Sequence, residues 1–333
     1  MSDTNWRKGA KRLCILRRLY ATMEQRGERM KLQRIRCAPL ARAWDLTVSP
    51  EYIVGCTGRK AVILDRQYKL LQTVEGLDHV YTARLSPDET QLLLISTGNR
   101  FYVTDLASGV TRKALVRAPF NGNLEGEGCW SHDGRFIYIP VLRAEGLNST
   151  LRRYRAEDLS IDEEFLKDEY WLTNLHPLRM SDAYFMVGLH RPLQRWYFLV
   201  LKDGGVKRIP LDGEDGVFFR SFIEEEKQEI CLSSTKGCMR YALNGERKET
   251  IVNPFASEKA EARDFIAKYA RSQCGRYIFM ATNAGFYLLD AATKQLLCHI
   301  PEEYGVQNFE QLEPDVIALA GWNGVKLYRM TDE

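Results

Sequence analysis

No stretch of this 333-residue chain approaches the ~18 consecutive apolar residues that a membrane-spanning helix needs, so a helical membrane anchor is not expected. Cysteine is thinly spread. Its eight positions (14, 37, 56, 129, 231, 238, 274 and 298) form no Cys-x-x-Cys pair. A secreted disulfide scaffold would pack its cysteines more densely into a shorter chain. A secretory leader is also not evident, because Arg17 and Arg18 interrupt the one apolar stretch near the start, Leu13 to Leu19. These gaps together favour the reducing cytoplasm, with most cysteines acting as small buried hydrophobes. Histidine is scarce too: 79, 132, 176, 190 and 299 are the only five, and none pair at ligand spacing. No metal or other cofactor is expected. Long helical patterns are missing after residue 36, which excludes an α/β architecture.

What is present is ample core material, 45% hydrophobic against 27% charged, and an uneven charge distribution. Residues 1–36 hold eleven Lys or Arg against three acids, while the remainder holds 36 bases against 41 acids. The spacing of Trp6, Leu13, Leu16 and Tyr20 predicts a helix with one narrow apolar face, surrounded by Arg7, Lys11, Arg12 and Arg18. Residues 1–30 therefore read as a basic amphipathic leader on an acidic body, residues 31–333. Such a helix suits an acidic protein or an anionic membrane surface as a peripheral contact, or it packs on its own body. Nucleic acid is disfavoured by the acidity of the body.

A repeat runs through that body. Leu85-Ser-Pro-Asp-Glu-Thr-Gln-Leu-Leu-Leu, Trp130-Ser-His-Asp-Gly-Arg-Phe-Ile-Tyr-Ile and Arg271-Ser-Gln-Cys-Gly-Arg-Tyr-Ile-Phe-Met each place a serine before a polar turn and a strand-like run. A second landmark is an Asp or Asn that ends an apolar run: Asp65, Asp105, Asp158, Asp203, Asn244, Asp290 and Asp332, spaced 40, 53, 45, 41, 46 and 42 residues apart. Short polar side chains suit that place because they bond the backbone two residues on. Repeats of about 40–45 residues with four short strands each are the mark of a β-propeller. The pattern predicts strands at 80–86, 91–96, 100–105 and 110–116 in one unit, and at 264–271, 276–281, 285–290 and 295–300 in another. The last unit supplies only three strands, near 307–312, 315–321 and 324–331. The spare run Leu32-Gln-Arg-Ile-Arg-Cys is expected to be its fourth, closing the ring and removing an open edge. The fold predicted is all-β, a seven-bladed propeller of four-stranded blades.

The Ser86-Pro-Asp, Ser131-His-Asp-Gly and Ser272-Gln-Cys-Gly turns, with the Asp-ending third strands, resemble the WD40/YVTN-type seven-bladed propellers over residues 31–333. The chain departs from that pattern in having no Trp-Asp dipeptide at the end of a third strand, and Asp78-His79 is its nearest equivalent of the Gly-His element. The resemblance implies an interaction platform.

Chemistry-bearing motifs are sparse. Asp212-Gly-Glu-Asp-Gly lacks the alternate acids and later Glu of a calcium loop, and Asn121-Gly-Asn-Leu-Glu-Gly-Glu-Gly lacks the strand–turn–helix setting of a phosphate cradle. No Gly-x-Ser-x-Gly element is present. The loops feeding the inner strands carry Asp78, His79, Asn123, Glu125, Tyr170, Trp171, Phe218, Phe219, Arg220, Arg263, Asp264 and Tyr304, a set rich in the aromatic and Arg residues that anchor partners. Residues 256–263 have the composition of a short helix over the same mouth. The function expected is a non-catalytic protein-interaction scaffold, monomeric on its own. The alternative is a propeller hydrolase of lactonase type with a polar site at the channel mouth.

Overall fold

The computed structural model describes residues 30–37, 43, 45–96, 100–116, 127–142, 148–178, 180–211, 218–234, 237–251, 266–302 and 305–332. Strand β1 (Met30–Cys37) is followed by a first sheet of β2 (Asp45–Val48), β3 (Tyr52–Thr57), β4 (Lys60–Asp65) and β5 (Leu70–Val74). A second sheet contains β6 (Val80–Leu85), β7 (Gln91–Ser96), β8 (Arg100–Asp105) and β9 (Thr111–Leu115). Next come β10 (Cys129–Trp130), β11 (Phe136–Leu142), β12 (Ser149–Arg155), β13 (Ile161–Leu178), β14 (Ala183–His190), β15 (Arg195–Lys202) and β16 (Gly205–Pro210). Two more quartets follow: β17 (Phe218–Glu224), β18 (Glu229–Ser234), β19 (Gly237–Ala242) and β20 (Arg247–Ile251), then β21 (Ile266–Arg271), β22 (Tyr277–Thr282), β23 (Gly285–Asp290) and β24 (Leu296–Pro301). Strands β25 (Val306–Glu313), β26 (Val316–Gly321) and β27 (Gly324–Asp332) end the chain. All pairings are antiparallel, and the sheets stand in a propeller-like ring.

The strand bounds follow the predicted ones within two residues in the second sheet, in the β21–β24 sheet and over β25–β27. Closure is also as predicted: β1 pairs with β27, from Met30 opposite Asp332 to Cys37 opposite Lys326. The division into sheets differs from the one predicted. Among the described residues five separate four-stranded sheets are present, not seven, together with one seven-stranded sheet running from β10 to β16. The cause is β13, 18 residues long, which pairs with β12 through its first part and with β14 through its second. It turns between the two through left-handed backbone at Leu166 and Asp168, both with positive φ. The two halves of this sheet then pack on each other, Tyr138, Leu151 and Phe165 against Tyr170, Met186 and Leu199.

Burial explains which runs are continuously apolar. The second strand of a sheet is covered on both faces, so β22 and β26 are buried throughout. The outermost strands β9 and β20 are mostly exposed or half-buried. Seven clusters of buried side chains fill the spaces between neighbouring sheets and between the halves of the long one.

The turns carry out the chemistry read from sequence. Ser86 and Ser131 each donate to an aspartate two residues on, Asp88 and Asp133, at 2.6 Å, and accept from the backbone N–H of Gln91 and Phe136. Ser272 accepts from Tyr277 N–H at 3.0 Å, with Cys274 Sγ in the aspartate's place at 3.3 Å. Asp65, Asp158, Asn244 and Asp290 each accept the N–H two residues on, and Asp105 that of Ser108 at 2.7 Å. The Ser108 and Ser160 hydroxyls, joined by their own N–H groups, hold Asp105 and Asp158 below the usual carboxylate range.

Removing residues 1–38 is expected to strip β27 of its outer partner and uncover Met30 and Leu32's packing on the β21–β24 sheet. An open edge promotes association. The truncated chain should melt at a lower temperature and associate in light scattering, and a monomer melting like the full chain would refute the closure.

Candidate functional site

Each sheet is a meander that starts at the ring's centre. The turns between second and third strands therefore lie on the same face as the links from one sheet to the next. This is the mouth face, and the Ser-Asp and Asx turns lie on the opposite one.

The centre is built from the innermost strands, which touch in the closed order β2, β6, β10, β13, β17, β21, β25 and back to β2. Polar ties run around the same circle, from these strands or from residues directly beside them. Thr47 Oγ1 donates to the Ala83 carbonyl at 2.6 Å, and Arg84 Nη1 meets Asp45 Oδ2 at 2.5 Å. Trp130 Nε1 donates to the Arg84 carbonyl at 3.0 Å, and the Leu175 N–H to Glu127 Oε2 at 2.8 Å. His176 Nε2 lies 2.6 Å from Ser221 Oγ. Ser233 Oγ donates to the Ile266 carbonyl. Lys268 Nζ donates to Asn308 Oδ1 at 3.0 Å, the Phe309 carbonyl at 2.6 Å and Glu310 Oε1 at 2.5 Å. Asn308 Nδ2 completes the circle on Asp45 Oδ1 at 2.7 Å and the Leu46 carbonyl at 3.1 Å.

Burial and, after it, the Arg84 guanidinium pull His176 down to about 4. The imidazole is thus neutral near pH 7, and Nε2 and the Ser221 hydroxyl share one hydrogen bond whose direction follows the tautomer. Nothing in the residue spacing suggested this pair beyond the 45 residues between them, one repeat length.

On the mouth face Asp78 and His79 form the turn before β6. The Asp78 backbone is fastened, its N–H to Tyr102 Oη at 3.2 Å and its carbonyl to Ser96. Its carboxylate meets His79 Nδ1 at 2.5 Å and Arg100 Nη1 at 3.5 Å, while the His79 side chain is 76% exposed.

Tyr170 and Trp171 enter the second half of β13, with their side chains on opposite faces. Tyr170 is buried; its hydroxyl accepts from Arg208 Nε at 3.2 Å and its ring meets those of His190 and Tyr197 edge-on at 5.4 and 5.6 Å. Gly188 makes this possible, since a Cβ there would stand 3.2 Å from the Tyr170 ring and 2.7 Å from Leu199. Trp171 lies against Trp196, centroids 6.1 Å apart, with Arg191 Cζ 5.6 Å above its ring. Arg195 Cζ lies 6.0 Å from the Tyr197 ring.

His190, Arg191 and Arg195 belong to the β14–β15 turn, which joins a second strand to a third and feeds no inner strand, so nothing in the sequence singles them out. Phe218 and Arg220 stand at the start of β17, opposite Ser234 and Ser233. Asn123, Glu125, Arg263, Asp264, Tyr304, the 256–263 segment and the leader residues Trp6, Arg7, Lys11, Arg12, Leu13, Leu16, Arg18 and Tyr20 lie outside the described residues.

The opposite face bears a cleft of about 640 Å³ between the halves of the long sheet, walled by Phe136, Tyr138, Phe165 and Tyr184 and rimmed by His132, Asp182 and Lys202. Arg153 crosses it, 4.7 Å above Phe136 and bound to Asp162. Among the described residues no three His, Cys, Asp or Glu converge to hold a metal, and no helix is long and apolar enough to cross a membrane. No family model and no curated protein matches the chain.

His176 generates a pH prediction. Its folded value of about 4 lies below its ordinary 6.5, so between these values the unfolded chain binds a proton that the folded chain refuses. Stability should therefore fall as pH drops through that window. His176→Gln, which retains a hydrogen-bond partner for Ser221, is expected to flatten the slope in urea titrations, and an unchanged slope would remove His176 as its source.

Proposed function

We propose that this protein is a non-catalytic binding platform whose mouth face holds a protein partner. The observation that carries this reading is a contrast in how polar groups are used. At the ring's centre Asp45, Arg84, Lys268, Asn308 and Glu310 are committed to neighbouring sheets. On the mouth face Arg191 lies over Trp171, beside the exposed Leu193. Aromatic–Arg clusters of this kind are typical anchors for a partner. The WD40/YVTN likeness of the turns supports the same reading. We count the seven-stranded sheet as two blades sharing β13, since its halves pack face to face and each supplies one innermost strand. The platform is then a closed seven-bladed ring.

The test is affinity capture from a lysate of the source cells on the immobilised full chain. A Trp171→Ala/Arg191→Glu variant should retain at least about tenfold less partner, the factor that follows from losing one anchor of ~1.4 kcal/mol. A Lys202→Ala/Asp203→Ala variant on the opposite face should retain as much as the wild type. Equal retention by all three would overturn the reading.

Hydrolysis of lactone type is the second reading, and Ser221 beside the neutral His176 is the observation that favours it. Against it, Ser221 is 6% exposed and its hydrogen bond already joins two sheets. Turnover of a lactone panel that is lost in Ser221→Ala or His79→Ala would decide for the enzyme.

A further inference from the structure

On the face opposite the mouth, Leu70, Leu71, Val110 and Ile161 are 46, 50, 59 and 51% exposed. Single exposed aliphatics are ordinary on a protein surface. These four are not scattered. Leu70 and Leu71 open β5, Val110 stands one residue before β9, and Ile161 opens β13. They repeat one position, the start of an outermost strand, in three successive units of the ring. The same position is Gly205 in β16, Arg247 in β20 and the half-buried Leu296 in β24. The three units also touch at this level. A Cβ on Gly109 would stand 3.3 Å from Gln72 Nε2 of β5, and Arg112 of β9 donates to the Glu157 carbonyl of the next unit. The result is a continuous apolar stripe along one rim.

Negative charge flanks the stripe. Asp65, Asp88, Asp105 and Asp158 lie in the turns of the same three units and take hydrogen bonds from N–H and hydroxyl groups. Neutral donors leave a carboxylate its full charge. The Ser86, Ser108 and Ser160 hydroxyls, first among them, hold Asp88, Asp105 and Asp158 below the usual carboxylate range. The arginines nearby are engaged within the fold, Arg66 on the Ser49 and Leu312 carbonyls and Arg155 on Asp162. Lys69, exposed beside Leu70, is outnumbered by the four acids.

An apolar stripe edged with acids matches a helix whose apolar face is edged with bases. Residues 1–29 of this chain have that composition, with Trp6, Leu13, Leu16 and Tyr20 for the face and Arg7, Lys11, Arg12 and Arg18 around it. The lengths agree. A helix rises about 21 Å from Trp6 to Tyr20, and three sheets packed ~10 Å apart span about 20 Å. The point of departure agrees as well. Met30 opens β1 opposite Asp332, the end of β27 that lies on this face. The next unit in the ring is the one that holds β5, and its Tyr68 hydroxyl meets Glu313 at 3.1 Å. The chain from Tyr20 to Met30 reaches about 33 Å when extended, more than that one step requires. An anionic membrane suits this face poorly, because it would meet the aspartates.

We propose that residues 1–29 dock on their own ring, across the outer-strand starts of β5, β9 and β13. The apolar face covers Leu70, Leu71, Val110 and Ile161, and the bases lie against the flanking aspartates. This contact is independent of the platform reading, which uses the other face.

The test is amide hydrogen exchange, read by mass spectrometry, on the dilute full chain, with a synthetic peptide of residues 1–29 as the undocked reference. Melting temperatures of all variants are measured alongside. Exchange over residues 6–20 is expected to be at least about tenfold slower in the chain than in the peptide, the factor that burial of one large aliphatic side chain supplies. Leu71→Lys/Val110→Lys should bring it close to the peptide's rate. So should Leu13→Asp/Leu16→Asp, which leaves the ring's residues untouched. Leu193→Lys on the mouth face should leave it slow. A carbodiimide should join Lys8 or Lys11 to acids of the β2–β5 and β6–β9 sheets. Peptide-like exchange in the wild-type chain would overturn the proposal, as would slow exchange that survives Leu71→Lys/Val110→Lys in a folded protein. Cross-links confined to other sheets would also overturn it. So would protection that grows with protein concentration, the mark of a second copy, or protection that requires phosphatidylserine vesicles, the mark of a membrane.

Discussion

A four-stranded sheet has two faces and, in this chain, enough apolar residues for both. It cannot cover them itself. Each face must be covered by the next sheet, so no sheet is complete until the ring is closed. The closure has two parts. At the rim β1 lies on β27, nearly three hundred residues away in the chain, and turns an open edge into a paired one. At the centre Asn308 reaches Asp45 and the Leu46 carbonyl, joining the last inner strand to the first. Apolar burial supplies the bulk of the stabilisation, but it is non-directional and tolerates sliding of one sheet over another. The polar ties fix that register, because a hydrogen bond tolerates much less displacement than a packed methyl group.

The ties explain why the centre is polar at all. Inner strands converge, leaving too little room for large side chains on every strand and too much for a dry core. Arg84 illustrates the compromise: it is surrounded by the ring, yet 43% of its side chain remains accessible to solvent, while its partner Asp45 is almost covered. A charge in that place retains some hydration and gains a partner, which avoids the large penalty of an isolated buried ion. His176 follows the same logic with the opposite outcome. It has no acid to pair with in its tie to Ser221, and it stays neutral instead.

What was legible in the sequence is what local chemistry determines. Ser86, Ser131, Asp105 and Asp290 act within a few residues of themselves, so their roles survive any tertiary context. The strands were readable because nearly all of their residues are either plainly inside or plainly at the rim. The union of two units through β13 was not readable. Leu166 and Asp168 adopt positive φ without glycine, so the usual marker of such a turn is missing. Tyr170 and Trp171 were visible as aromatic residues near the mouth. Their partners Arg191 and Arg195 come from another turn, and the 45-residue tie between His176 and Ser221 likewise depends on which strands the ring places side by side.

The same distinction separates support from binding. A polar group whose hydrogen bonds are all made within the fold has little left to give a partner, and disrupting it costs stability first. By that criterion Lys268, with three acceptors, is a fastener. Arg153, bound to Asp162 and flanked by Phe136 and Phe165, is one too, and it occupies the very cleft that its aromatic walls would otherwise offer to a ligand. The β14–β15 turn differs because the rigid sheet beneath it holds Trp171 and Tyr170 in place while the Arg191 Nε above remains unsatisfied.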